Sequence, residues 1–161
     1  MTTTTHPETE ITADPDLPLI HIIREFEAPV EAVFRAHTDP ELVRQWLGPR
    51  RLTMRIERWD AHTGGAYRYV HSGEDGTEHG FYGSFHEIRP PERMVQTFTY
   101  EGFPDGVSLE TATFEDLDGR TRLHIASVFD SAQARDLMIS SGMESGVIEG
   151  YERLDELLAQ T

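Results

Sequence analysis

The sequence contains no cysteine, which excludes disulfides, thiolate metal sites and a cysteine nucleophile. No apolar run approaches the roughly 18 residues that a membrane span needs. The first residues lack the basic start and apolar stretch of a secretory signal, so a cytoplasmic location is expected. Positive charge is scarce: 14 Lys and Arg stand against 29 Asp and Glu, a formal net charge of −15. That field repels phosphate backbones and anionic lipid surfaces, so neither a nucleic-acid partner nor membrane insertion is expected. Motifs of nucleotide and nucleophile chemistry are missing too. No GxSxG elbow occurs, and Gly64-Gly65 and Gly73-Glu74-Asp75-Gly76 read as turns that do not continue into helices.

What remains is ordinary for a globular chain: 161 residues, 37% hydrophobic and 27% charged, enough for one core. Residues 1–18 have no periodic apolar pattern and read as a disordered leader, followed by a single domain over 19–161. Leu19 to Phe26 reads as a strand. Ala28-Pro29 breaks it and opens a short helix, with Pro29 suited to its first turn. Asp39 then caps a second helix with Pro40 in its first position, and Gly48-Pro49 stops it after Trp46-Leu47. From Arg51 the period is two, and strands are expected over 52–57, 66–71, 78–88, 94–100, 108–117 and 121–129. The stretch 132–159 reads as one long helix, with Met143, Val147, Tyr151, Leu154 and Leu158 on one apolar stripe. The fold class is therefore α+β: a curved antiparallel sheet of about seven strands around a long C-terminal helix, with two short helices after the first strand.

Asp118-Gly119 is a two-residue hairpin signal, and a type I′ loop there makes opposite residues sum to 237. Phe114 then faces Leu123, Ala112 faces Ile125 and Glu110 faces Ser127 on the side turned to the helix. A carboxylate at that inward position either orients a ligand hydroxyl or amine, acts as a base with a raised pKa, or is solvated at the strand end. The 66–71/78–88 hairpin admits two registers. In one, Tyr67 faces Gly83, Tyr69 faces Phe81 and His71 faces His79, which with Phe85, Phe98 and Tyr100 lines the inner face with aromatics. Those rings are core, the walls of a cavity, or both. Gly142, Gly146 and Gly150 recur every four residues, each costing about 1 kcal/mol relative to Ala in a helix interior. They imply either close approach of helix to sheet or room for a ligand. His71 and His79 are the one histidine pair that a hairpin would bring together, and no HxH or HExxH spacing is present, so no metal and no cofactor are expected.

Several local motifs occur in fixed order over about residues 20–160: Phe26-Glu27-Ala28-Pro29, Thr38-Asp39-Pro40-Glu41 with Gln45-Trp46 and Gly48-Pro49, and Gly64-Gly65-Ala66-Tyr67-Arg68. They continue with Glu87-Ile88-Arg89-Pro90-Pro91-Glu92-Arg93, Gly119-Arg120-Thr121-Arg122-Leu123, Gly142-Met143-Glu144-Ser145-Gly146 and Tyr151-Glu152-Arg153-Leu154-Asp155. The series resembles the START-like (SRPBCC) helix-grip superfamily, in the branch named after the C-terminal domain of the activator of the Hsp90 ATPase (AHSA1-type proteins). The resemblance implies the START/Bet v 1-like helix-grip fold with a cavity between sheet and helix. Many relatives carry Trp after the glycine of the final helix. Here Val147 follows Gly146, which implies a larger or reshaped cavity. It implies no chaperone activation, because that activator has a further domain for which this chain has no room.

The expected function is binding of a small apolar or amphipathic molecule in that cavity. Its expected walls are Trp46, Tyr67, Tyr69, Phe81, Phe85, Phe98, Tyr100, Glu110, Ala112, Ile125, Met143, Val147 and Tyr151. Two alternatives stay open. One is an enzyme of the cyclase or dehydratase type with Glu110, His71 and Tyr151 as candidate catalytic groups. The other is a protein-interaction domain, including a homodimer.

Overall fold

The computed structural model describes residues 8–160. Eight strands form one antiparallel sheet: β1 (Glu10–Ala13), β2 (Leu19–Phe26), β3 (Thr53–Trp59), β4 (Ala66–Ser72), β5 (Glu78–Arg89), β6 (Arg93–Tyr100), β7 (Ser108–Asp116) and β8 (Thr121–Val128). Their spatial order is β1-β2-β8-β7-β6-β5-β4-β3, so six consecutive strands run as a meander and the first pair closes onto the last. Helices α1 (Val30–Thr38) and α2 (Pro40–Trp46) follow β2, and α3 (Ala132–Ser140) and α4 (Met143–Leu158) end the chain. This is the α+β helix-grip architecture, with one strand more than the sequence pattern suggests.

That additional strand lies inside the stretch read as a disordered leader. Its single strong apolar residue, Ile11, gives no alternation to read. The strand exists because β2 offers a free edge, and Glu10 to Ala13 pair with Ile23 to Ile20. Residues 1–7 of the leader lie outside the described residues.

The β7–β8 hairpin takes the register that Asp118-Gly119 dictates. Both loop residues have positive φ, 63° and 97°, as a type I′ turn requires. Phe114 faces Leu123, Ala112 faces Ile125 and Glu110 faces Ser127. The 66–71/78–88 hairpin adopts the register that pairs Tyr67 with Gly83, Tyr69 with Phe81 and His71 with His79. Bulges in β3 and β5 shift the pairing between Ile56 and Arg58 and between Phe85 and Glu87. An extra residue reverses the facing of those that follow, which turns Trp59 in beside Tyr67 and Phe85.

The expected single long helix is two. Gly142 has φ 87°, a left-handed conformation that ends an α-helix, and it becomes the N-cap of α4. The glycines therefore do not form one stripe. A Cβ on Gly150 would lie 3.2 Å from the Trp46 carbonyl oxygen and 3.3 Å from the Gly48 nitrogen, and one on Gly146 would lie 3.5 Å from Pro49. Gly146 and Gly150 thus bring α4 close to the end of α2, and their role is close packing.

The core is densest where α1, α2 and the second half of α4 cover the β7–β8 turn end of the sheet. Phe26, Phe34, Trp46, Phe114, Leu123, Tyr151 and Leu154 are all buried there. Asp39 caps α2 by accepting from the Glu41 amide at 3.0 Å. Trp46 Nε1 donates to the Ala36 carbonyl and Trp59 Nε1 to the Thr38 carbonyl, each at 2.8 Å. Arg24, buried on the inner face, donates to both Asp155 carboxylate oxygens of α4 at 3.1 and 2.6 Å. The basic concentration of the sequence stays outside, with Arg50 paired to Glu156, Arg55 to Glu57 and Glu78, and Arg58 to Asp60.

Candidate functional site in the concave face of the sheet

Side chains on the inner face do not pack equally well along the strands. Away from the β7–β8 turn, Phe81, Phe98, Tyr100, Ala112 and Ile125 face inward yet are only half-buried. Ala112 and Ile125 sit on β7 and β8, in the middle of the sheet. Strands flank both, so their accessible surface opens onto the space between sheet and helices. Met138 and Ile139 of α3 and Met143 and Val147 of α4 are the half-buried residues opposite. Helix α3 buries none of its residues fully. The first half of α4 and all of α3 therefore cover the core less completely than the second half of α4 does.

Glu110 lies on the same face of β7 as Ala112 and Phe114, half-buried. One carboxylate oxygen, Oε2, accepts from Ser127 Oγ at 3.1 Å. Burial pushes its pKa up to about 7, and the Ser127 hydrogen bond opposes that rise. Across the β6–β7 pair it faces Gln96, whose Nε2 donates to the Tyr67 hydroxyl at 3.3 Å. Tyr67 in turn donates to the Thr97 carbonyl at 2.6 Å. Burial raises the pKa of Tyr67, Tyr69 and Tyr151, and the Glu110 charge adds to each. The three phenols and the carboxyl thus form one electrostatic neighbourhood.

Several polar atoms in it are unspent. Among the described residues, the fully buried side-chain atoms without a partner are His37 Nε2, His71 Nε2 and Arg93 Nε. The hydroxyls of Tyr69 and Tyr151, Glu110 Oε1 and Gln96 Oε1 have no partner within the described residues either, and they are not among those buried atoms. These four atoms are therefore not fully buried.

Of the other expected wall residues, Phe85 and Trp46 belong to the core cluster. Phe85 is completely buried against Tyr67 and Trp59, and Trp46 is packed between His37 and Tyr151. Neither ring has surface to offer, because aromatics at these spacings stack on each other. His71 is held away from Glu110, under the α2 stop: a Cβ on Gly48 would lie 2.6 Å from its Cε1. Burial lowers its pKa to about 4, which keeps the imidazole neutral. His79 faces it in register and bonds Tyr100 OH at 3.1 Å. No group of three or more His, Cys, Asp or Glu that could hold a metal ion occurs among the described residues. Nor is there a helix among them long and apolar enough to cross a membrane.

The depression described in the structure lies elsewhere, and sequence reasoning missed it. An open groove of about 360 Å³ lies between α1 and the β5–β6 turn, lined by Glu31, Phe34, Arg35, Thr38, Ala61, Ile88, Pro90 and Pro91. It shares no residue with the expected cavity walls. Its signal was faint, since it joins residues of α1 to a Pro-Pro turn more than 50 positions away.

Residues 27–159 match the family model described as Activator of Hsp90 ATPase homolog 1-like protein. The chain belongs to this family. Solved structures similar to this Activator of Hsp90 ATPase homolog 1-like chain include a protein from Rhodobacter sphaeroides, 29% identical, with a TM-score of 0.88 over 96% of this chain and 100% of that one. A protein from Arthrobacter aurescens is 29% identical, with a TM-score of 0.86 over 94% and 92% of the two chains. Protein Ms6760 from Mycobacterium smegmatis is 26% identical, with a TM-score of 0.85 over 95% and 98%. No curated protein matches the chain.

Proposed function

We propose that this protein binds a small apolar or amphipathic molecule in the concavity between the sheet and the α3–α4 arm. The carrying observation is the partial exposure of Ala112 and Ile125 on central strands, positions that a tightly packed core buries. Apolar walls with a few convergent polar atoms are the general form of a small-molecule site. Val147 on α4 is likewise only half-buried.

The test is a thermal-shift panel of three apolar bodies (decyl, 2-naphthyl and 4-biphenylyl), each with several head groups. A binder of the folded state raises the melting temperature in proportion to its occupancy. At least one body is expected to do so with the natural chain and to lose the effect in Val147→Trp, whose indole fills the space. No shift with any body would overturn the reading.

A second reading, proton-transfer chemistry of the cyclase or dehydratase type, has a specific support. A carboxyl with a pKa of about 7 close to two unpartnered phenols is suited to take up and return a proton near neutral pH. Turnover of a substrate that loses rate in Glu110→Gln while still binding would favour it; binding without turnover favours the first.

A further inference from the structure

The outer face of the sheet carries a chain of three titratable groups. His21 of β2 alternates with the buried Ile20 and Ile22, and His124 of β8 follows the buried Leu123, so both imidazoles point away from the core. His21 Nδ1 is 3.1 Å from His124 Nε2. The ring planes differ by 14° while their centres stand 5.4 Å apart. Rings so nearly parallel, with two nitrogens so close, lie edge to edge, and the contact is an N–H···N bond with room for one proton. On its other side His21 Nε2 is 3.2 Å from Asp14 Oδ2. The loop that carries Asp14 also holds α3. Asp14 Oδ1 accepts from the Asp16 and Leu17 amides, each at 3.0 Å, and the Asp14 and Leu17 carbonyls accept from Arg135 Nη1 of α3 at 2.7 and 2.8 Å.

An ionised carboxylate only accepts, and that fixes the protons. With both imidazoles neutral, His21 Nε2 donates to Asp14, so His21 Nδ1 accepts and His124 Nε2 carries the shared proton. One further proton enters at His124 Nδ1, which has no partner among the described residues. The shared proton then passes from His124 Nε2 to His21 Nδ1. This leaves the charge on His21 beside Asp14 and His124 neutral in its other tautomer. A second proton would set two N–H groups against each other. Burial and the His21 charge hold the His124 pKa below its ordinary value, and the Asp16 amide and His21 do the same for Asp14. Other charges on this side are Glu10 of β1, Glu25 and Arg122, which face each other on β2 and β8, and Glu115 of β7. Glu25 is paired with Arg120 and Glu115 with Arg122. Asp16 lies in the loop, and Asp136 of α3 pairs with Arg135. Asp14 alone bonds either ring.

We propose that Asp14, His21 and His124 form a proton-loaded clasp: one proton taken up through His124 turns the Asp14–His21 contact into an ion pair and fastens the 14–17 loop, and with it α3, to the sheet. The clasp is tightest in mild acid, where the pair holds its proton and Asp14 is still ionised. It slackens as pH rises through the histidine range, and again as pH falls far enough to protonate Asp14.

Nitrogen NMR of the isotope-labelled imidazoles in the full chain tests the relay between about pH 8 and about pH 5. His124 is expected to change from the Nε2–H to the Nδ1–H tautomer as His21 becomes doubly protonated, both with one midpoint. Amide exchange at Asp16 and Leu17, corrected for its intrinsic pH dependence, tests the fastening. It should slow by about threefold or more over the same range, which is half a pKa unit of coupling. Asp14→Asn, which keeps the loop acceptor and loses the charge, should abolish that slowing. Protonation of His124 with His21 left neutral, or separate midpoints with no change of tautomer, would overturn the relay. Exchange at Asp16 and Leu17 that ignores pH, or that slows equally in Asp14→Asn, would overturn the clasp.

Discussion

The two ends of the inner sheet face are made from similar residues and behave differently. At the β7–β8 turn end, Phe26, Phe34, Trp46, Phe114 and Tyr151 interlock and Leu154 is fully buried. At the other end, Phe81, Phe98 and Tyr100 stack on one another at 5.2–5.5 Å but keep exposed surface. Composition does not separate them; what covers them does. The packed end lies under α1, α2 and a half of α4 brought close by Gly146 and Gly150. Helix α3, which buries nothing completely, packs against β2 and α4. The fully buried residues are concentrated at one end, and the partly exposed aromatics at the other.

The sharpest way to break this contrast is to shorten side chains on the same helix. Leu154→Ala should cost about 3–4 kcal/mol, as for a fully enclosed leucine, whereas Val147→Ala should cost under about 1 kcal/mol because its site is already open. Urea unfolding of both variants measures the gap, and equal losses would mean that the two ends are packed alike. Next comes the tie between α4 and β2. Asp155→Ala leaves the buried Arg24 guanidinium short of its charged partner and should cost about 2–3 kcal/mol by the same unfolding measurement.

The smallest effect is the most telling about the open end. The folded state holds the Glu110 proton with a pKa of about 7 against an ordinary 4.5. The folded chain thus binds more protons than the unfolded one between those values, and its stability falls as pH rises through that window. Glu110→Gln removes the penalty: it should be more stable than the natural chain by roughly 1–3 kcal/mol above pH 7, and no different near pH 4. His37 and His71, both lowered to about 4 by burial, give the opposite slope below 6.5, because the unfolded chain binds their protons first. They do so in both chains, so the difference between variants isolates Glu110. A pH-independent difference would place the carboxyl in bulk-like water.

Much of this was readable in the chain. Asp118-Gly119 set the β7–β8 register and with it the inward turn of Glu110, because a two-residue loop with two positive φ angles leaves one pairing. The caps of α2 and the order of strands were equally local. The split of the final helix was not, because Gly142 interrupts an apolar periodicity that continues on both sides of it. Strand β1 was hidden since its existence depends on an edge supplied by β2. Which aromatics are core and which are wall was hidden as well. Phe85 and Phe98 have the same chemistry, and only their neighbours, Trp59 and Tyr67 for the one and Phe81 for the other, distinguish them.

The break at Gly142 has a consequence for how such a chain can change over generations. A continuous helix would transmit any shift at Met138 or Ile139 along its rod to Leu154. With a left-handed residue between them, the nine residues of α3 can drift in sequence and tilt while the hydrophobic anchor below stays put. Changes in α3 are thereby separated from the packed end, so lineages sharing this scaffold are free to diverge in one without unfolding the other.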